Sequence, residues 1–82
     1  MRDWSEQALI VKNASEATLT PLMESLETRW PAIRIFSLPS VDHPVHGTHI
    51  ELGVKGPKQM ASDAFNALRQ ELLNGQIPFS TA

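Results

Sequence analysis

The chain has no cysteine, so neither a disulfide framework nor a thiolate zinc site holds it together. It also has no run of about 18 apolar residues, which is the length that a membrane-spanning helix needs. The first residues lack the continuous apolar stretch of a secretory signal and include Arg2, Asp3 and Glu6. We therefore expect a cytoplasmic protein whose stability comes from packing.

Positive charge is not in excess either. Seven Lys and Arg residues stand against nine Asp and Glu residues, and the net charge of −2 is a poor basis for charge-driven binding to nucleic acids or membranes. With 82 residues the chain has the length of one small domain and leaves no room for a ligand pocket. We expect residues 1–82 to form a single domain, with a core from about residue 8 to residue 75.

Two stretches have the residue spacing of amphipathic helices, with apolar residues every three or four positions. The first contains Leu19, Leu22, Met23, Leu26 and Trp30, and the second contains Met60, Ala61, Ala64, Phe65, Leu68 and Leu72. For the first helix we predict Thr18 as the N-cap, Pro21 in the first turn and an end before Pro31. For the second we predict Pro57 as the first helical residue and Gly75 as a left-handed cap.

Three short segments are predicted to be strands, at residues 8–11, 33–38 and 48–54. The second segment carries apolar side chains on both faces, with Ile33 and Ile35 on one side and Arg34, Phe36 and Leu38 on the other. Residues 39–47 are predicted to form a loop. The tail at 76–82 has no regular pattern, and we expect it to be frayed.

The predicted order is strand, helix, strand, strand, helix. We predict the α+β class, as a two-layer sandwich in which a three-stranded mixed sheet carries both helices on one face. A right-handed crossover makes the first two strands parallel, and the third returns antiparallel. We place the third strand between the other two, in a split β-α-β arrangement, so that Ile50, Leu52 and Val54 lie at the centre of the core.

Three histidines, His43, His46 and His49, follow one another at steps of three residues. Imidazole is a common metal ligand, so these histidines are a candidate metal site. However, Pro44 and Gly47 exclude the helix that would aim such ligands at one ion. We therefore predict a polar loop with His49 on a sheet face, and neither a metal nor any other cofactor.

Residue types used in catalysis occur in unsuitable positions. Ser40, Asp42 and His43 have the residue types of a hydrolytic triad, but three near neighbours on one loop do not supply an oxyanion hole. The chain also lacks the G-x-S-x-G motif of a nucleophile elbow. Glu24 and Glu27 are expected on the polar face of the first helix. We predict no enzyme activity in this chain.

The segment from Gly53 to Gly56 has the G-x-x-G pattern with which KH modules clamp single-stranded nucleic acid. Lys55 and Lys58 would supply positive charge beside it. The KH loop joins two helices, whereas this segment joins a predicted strand to a predicted helix. We interpret it as a strand-to-helix turn and keep a KH-like RNA-binding module as the alternative function.

The aromatic residues suggest a surface for contact with another domain. Trp30 belongs to the apolar side of the first helix, whereas Trp4 precedes the predicted strands and helices. We expect Trp4 to pack on the open side of the sheet beside Phe36 and Leu38, or to contact another domain. These three residues, Trp4, Phe36 and Leu38, form the predicted interaction surface.

Three parts of the chain carry a family resemblance: LETRWPAIRIFSLP at residues 26–39, THIELGVKG at residues 48–56 and the terminal helix. Together they resemble the small C-terminal domain of CinA-like competence/damage-inducible, molybdopterin-binding proteins. The resemblance covers about residues 8–74. It implies a non-catalytic accessory α+β module, sometimes described as KH-like, attached to a larger molybdopterin/nucleotide-binding domain. The implied partner is that larger domain or a second copy of the chain, and no functional residue is carried over.

Overall fold

The computed structural model describes residues 4–12, 15–43 and 47–81; for residues 41–43 and 81 it describes the backbone alone. Strands and helices follow one another as β1 (Trp4–Lys12), α1 (Glu16–Arg29), β2 (Arg34–His43), β3 (Gly47–Pro57), α2 (Lys58–Asn74) and β4 (Phe79–Thr81). The predicted α+β class is confirmed. Each of the three predicted strands, β1, β2 and β3, is longer than the apolar segment that predicted it.

The four strands form one open sheet in the order β2-β3-β1-β4, and every neighbouring pair is antiparallel. The third strand lies between the first two, as predicted, because Ile50 of β3 pairs with Val11 on one side and with Pro39 on the other. This connectivity is the split β-α-β pattern of ferredoxin-like folds. The prediction of a three-stranded mixed sheet is wrong, since the sheet has a fourth strand and no parallel neighbours.

The fourth strand comes from the tail that was predicted to be frayed. Residues Phe79–Thr81 pair with Leu9, Ile10 and Val11 of β1, and Phe79 packs against the core. A strand of three residues is too short to show an alternating pattern. Its position is decided by the open edge of β1, to which it adds backbone hydrogen bonds.

Both helices pack on the same face of the sheet and enclose one hydrophobic core. Its buried residues are Leu9, Val11, Leu19, Leu26, Ile33, Ile50, Leu52, Val54, Ala61, Ala64, Phe65, Leu68 and Leu72. Leu22, Met23 and Trp30 of the predicted α1 stripe are partly buried against this core. Met60 is the exception to the predicted α2 stripe, because 43% of its surface is exposed.

The first helix begins three residues earlier than predicted. Ser15, and not Thr18, is the N-cap: its Oγ accepts a hydrogen bond from the backbone N–H of Thr18 at 3.3 Å. Pro21 therefore lies inside α1 and not in its first turn. The helix ends as predicted before Trp30-Pro31, where the N–H of Trp30 donates to the carbonyl of Leu26 at 2.9 Å.

The second helix ends in a Schellman motif whose left-handed residue is Gln76. Gly75 has φ −84° and is the C-cap, so the prediction of a left-handed glycine there is wrong. Gln76 has φ 57°, its N–H donates to the carbonyl of Leu73, and the N–H of Ile77 donates to that of Leu72. Pro57 is the N-cap of α2 and not its first helical residue.

Replacing Gln76 with glycine is expected to stabilise the protein by about 0.5 kcal/mol, because glycine adopts the left-handed conformation without the steric cost of a Cβ. Urea denaturation followed by circular dichroism measures the change. The same substitution at Gln70, exposed in the interior of α2, is the matched control and is expected to cost about 1 kcal/mol. A loss of stability in Gln76→Gly would contradict the cap geometry.

Most of the loop predicted at residues 39–47 is strand. β2 continues to His43, which pairs with Gly47 at the start of β3, and the register shifts between Ser40 and His43. Pro39, Pro44 and Gly47 predicted a loop here. Backbone pairing with β3 overrides that local preference, and the register shift accommodates the irregular residues.

Candidate docking face

The sheet has one face that the helices do not cover, which we term the open face. Successive side chains of a strand point to opposite faces, so the neighbours of the core residues point away from the helices. On β1 and β2 these are Trp4, Glu6, Ala8, Ile10, Lys12, Arg34, Phe36, Leu38 and Ser40. On β3 they are His49, Glu51, Gly53 and Lys55.

The centre of the open face is largely apolar and contains one charged residue, Glu51. Phe36, Gly53 and Ala8 lie side by side across three strands, and the next row contains Leu38 and Ile10 on either side of Glu51. Ile10 is buried, Phe36 is half-buried, and Leu38 is 56% exposed. Leu38 therefore presents a large apolar side chain to solvent, next to the half-buried Phe36.

Glycine at position 53 lets the ring of Phe36 lie close against β3. A Cβ at this position would lie 2.7 Å from Cε1 of Phe36 and 2.8 Å from the backbone carbonyl oxygen of Gln7. Both distances are well below van der Waals contact. The Phe36 ring thus occupies the space that a side chain at position 53 would fill.

Charged residues border the apolar centre. At one end Arg34 lies opposite Lys55, which in turn lies opposite Glu6, and Nζ of Lys55 is 5.9 Å from the centroid of the Phe36 ring. At the other end Lys12 lies opposite His49. Charges of both signs thus lie around an apolar centre, as at the rim of a protein interface.

The three residues of the predicted interaction surface lie on the same face of the sheet. Phe36 and Leu38 are on β2, as predicted. Trp4 is not part of a free arm: it opens β1, pairs with Pro57 and is 58% exposed, so it does not pack down on the sheet. The alternation in residues 33–38 was sufficient to place Arg34, Phe36 and Leu38 on one face, whereas Ile10 was missed as a member of this face.

The segment from Gly53 to Gly56 is not a turn. It lies within β3, where Gly53 pairs with Ala8 and Gly56 pairs with Ser5. A Cβ at Gly56 would lie 2.9 Å from Cγ2 of Ile33, so this glycine also serves close packing. The interpretation of the segment as a strand-to-helix turn is therefore wrong.

The two lysines of the alternative RNA-binding hypothesis lie on different elements. Lys55 is an exposed residue of β3 on the open face, whereas Lys58 is the first residue of α2. An extended strand between two other strands does not have the shape of a KH clamp. The structure therefore gives the KH-like hypothesis no additional support.

The candidate metal ligands are described only in part. His49 lies on a sheet face, as predicted; it is buried, and its Nδ1 is 2.9 Å from the carbonyl oxygen of Gly47. His46 lies outside the described residues, and for His43 the backbone alone is described. Within the part of the chain that the structure describes, no three metal-ligating side chains cluster.

The outer edge of β2 is protected against pairing with another strand. The N–H of Ile35 donates to the Glu27 carboxylate at 3.2 Å, and the Ser37 hydroxyl lies 3.3 Å from Oε1 of Glu16. Pro39 follows at the next position with the same orientation and has no N–H. Glu27, which the sequence placed merely on the polar face of α1, thus covers this edge.

No family model matches the chain, and no curated protein or solved structure is significantly similar to it. No helix in residues 4–12, 15–43 and 47–81 has the length and apolar character to cross a membrane.

Proposed function

We propose that this chain is a non-catalytic docking domain whose open face packs against the larger molybdopterin/nucleotide-binding domain of a CinA-like protein. The observation that carries the proposal is the exposed apolar surface on the helix-free face, formed by Leu38 and the half-buried Phe36. The identity of the partner rests on the sequence resemblance. Catalysis would reside in the partner domain, and the expected compartment is the cytoplasm.

The exposed apolar side chains of the open face favour a surface that is covered by a partner over one that stays in contact with water. The uncovered face of an antiparallel sheet ordinarily carries polar side chains. Here Trp4 and Leu38 are 58% and 56% exposed on that face, and both are of the size that buries much area at an interface. Covering them would remove apolar surface from water, which is the main driving force of association.

The charge pattern favours a protein over a nucleic acid. The open face carries Lys12, Arg34 and Lys55, but Glu6 and Glu51 lie among them. Phosphate binding needs several cations without interspersed carboxylates, because each neutralised phosphate contributes through counterion release. Mixed charges suit a protein surface with complementary charges of its own.

A single-stranded RNA remains the second candidate, and one contact favours it. Lys55 lies above the ring of Phe36, beside Arg34, and an aromatic ring with flanking cations is a platform on which bases stack. Leu38 and Ile10 would contribute little to stacking. We therefore keep RNA binding as an outcome of the test.

Replacing Leu38 with glutamate is expected to weaken binding to the larger domain at least about tenfold, because the interface would lose an apolar contact and would cover a second carboxylate directly opposite Glu51. The two domains are produced as separate polypeptides from the same genome and titrated by calorimetry. Leu73→Glu is the matched control, because Leu73 is 58% exposed on α2 and lies off the open face. It is expected to bind as the unmodified protein does.

Other results would overturn the proposal in distinct ways. Equal losses in Leu38→Glu and Leu73→Glu would show that the open face is not the docking surface. Dimers in sedimentation velocity that Leu38→Glu dissociates would identify a second copy as the occupant. Salt-sensitive binding of single-stranded RNA that a Lys55→Glu/Lys58→Glu variant loses would support the RNA-binding alternative.

A further inference from the structure

The second sheet edge differs from the protected edge of β2. β1 has nine residues, but β4 pairs only with Leu9, Ile10 and Val11. In the described part of the chain, no strand lies beside residues 4–8 on the side opposite β3. Among the described residues, Trp4–Ala8 therefore have a neighbouring strand on one side, which is β3.

The hydrogen-bond alternation of antiparallel strands identifies the backbone groups that point outward. Since the N–H of Ile35 donates to Glu27, the alternate residues Phe36 and Leu38 are those that bond to β3. Gly53 and Glu51 of β3 bond to them in return.

The same alternation continues from β3 to β1. The β3 residues between those bonded to β2 face β1, so Val54 and Leu52 bond to Gln7 and Leu9. Glu6, next to Gln7 in the chain, therefore directs its N–H and carbonyl away from the sheet. The same holds for Trp4 and Ala8.

This outward row has few of the features that protect an edge. Residues 4–8 contain no proline, no bulge interrupts their pairing with β3, and Glu6 is their one charged side chain. The edge of β2, by contrast, has Glu27 on one N–H and Pro39 in place of another. An unprotected row of backbone donors and acceptors fits an extended peptide.

A groove lies between α2, β4 and Leu9 of β1, the residue that follows Ala8 in the strand. It has a volume of about 360 Å³ and is lined by Leu9, Phe65, Arg69, Phe79 and Ser80. Phe65 and Phe79 supply apolar walls, and Arg69 is an exposed residue of α2. An aliphatic side chain fits the walls, and the guanidinium of Arg69 is suited to a carboxylate.

We propose that the edge of β1 binds an extended peptide segment of a partner protein as an added strand. The backbone of Glu6 hydrogen-bonds to the peptide, the groove takes an aliphatic side chain, and Arg69 binds a carboxylate of the peptide. This surface is separate from the open face, since backbone groups and α2 form it. The proposal of peptide binding at this edge does not depend on whether the open face binds a domain.

The test selects a library of random octapeptides, displayed on phage with free C-termini, against the folded chain. Enriched peptides are then synthesised with a fluorescent label, and their binding is measured by anisotropy. We expect enrichment of β-branched residues with an acidic or terminal carboxylate. Glu6→Pro removes the outward N–H, and we expect it to weaken binding at least about tenfold.

Glu6→Ala is the matched control, because it removes the same side chain and keeps the backbone N–H; it is expected to bind normally. Arg69→Glu, a change at an exposed helical position, is expected to weaken binding while the circular dichroism spectrum stays unchanged. This second variant tests the proposal even if Glu6→Pro fails to fold. Leu38→Glu is expected to bind the peptide normally, which separates this proposal from the function of the open face.

Three results would overturn the proposal. The first is no enrichment in the library, and the second is binding that neither Glu6→Pro nor Arg69→Glu alters. The third is a dimer of the chain that Glu6→Pro dissociates, since the edge would then be occupied by a second copy.

Discussion

The free energy of unfolding is expected to fall by about 3 kcal/mol when Leu52 is replaced by alanine. Leu52 lies in β3, has no exposed surface, and belongs to the hydrophobic core. Truncation leaves a cavity that a well-packed core does not fill. Domains of this size have about 3–5 kcal/mol in total, so the variant is expected to retain at most about 2 kcal/mol and to be partly unfolded at 25 °C.

Urea denaturation, followed by tryptophan fluorescence and circular dichroism, measures this loss. Leu38→Ala is the matched control, because it makes the same change on the neighbouring strand and on the opposite face of the sheet. Leu38 is 56% exposed, so the change is expected to stay within about 0.5 kcal/mol. Similar losses in the two variants would show that the two faces of the sheet do not differ as described.

Replacing Gly53 with alanine is expected to cost about 2 kcal/mol, although it adds a single methyl group. The new Cβ would lie against the Phe36 ring and 2.8 Å from the carbonyl oxygen of Gln7. The backbone oxygen cannot move without disturbing the pairing of β1 with β3. The same denaturation experiment measures the effect.

A double-mutant cycle with Phe36→Ala separates the two clashes. In the Phe36→Ala background the cost of Gly53→Ala is expected to fall by about 1 kcal/mol, with the contact to Gln7 accounting for the remainder. Gly75→Ala is the control: the nearest atom to its new Cβ is 3.4 Å away, and it is expected to be neutral or slightly stabilising. Additive effects at positions 53 and 36 would contradict the placement of the ring on Gly53.

Leu38 links the stability predictions to the proposed function. Because Leu38 is expected to contribute almost nothing to folding stability, the fold does not explain why a large apolar residue lies at this position. A large exposed leucine is suited to an interface. Leu38→Ala should therefore keep the fold and weaken docking. Leu52→Ala should weaken docking in proportion to the unfolded fraction alone.

The helices and their buried sides were predictable, because their evidence is local. Leu19 and Leu26, like Ala64 and Leu68, recur at helical spacing, and the structure buries all four. Cap positions were less predictable, because Ser15 and Thr18 are both good N-cap residues. Ser15 is the N-cap because its backbone is extended and the helix begins at the next residue. At the other end, Gln76 takes the conformation that Gly75 was expected to take.

The strands were predictable only where apolar residues mark them. Ile50 and Val54 gave a clear alternation, and the central place of β3 followed from the chain order. By contrast, residues 4–7, 39–43 and 79–81 are polar, rich in proline or too few to show a period. Their pairing depends on residues far away in the sequence.

The candidate site divides in the same way. Phe36 and Leu38 were found because an apolar residue on each face of one strand is visible in the sequence. Three features were not visible in the sequence: the contact of the Phe36 ring with Gly53, the hydrogen bond from the N–H of Ile35 to Glu27 at the edge of β2, and the outward direction of the Glu6 N–H. Each of these depends on the register between two strands.

By itself, the sequence determined a small α+β fold with two amphipathic helices and an apolar strand at the centre of the sheet. These features depend on side-chain periods within one segment, and the hydrophobic effect acts on them wherever the segment packs. The tertiary structure decided the fourth strand, the composition of the open face and the difference between the two edges. Backbone hydrogen bonds between strands are the same for every residue type except proline, so the residues that they bring together carry no mark in the sequence.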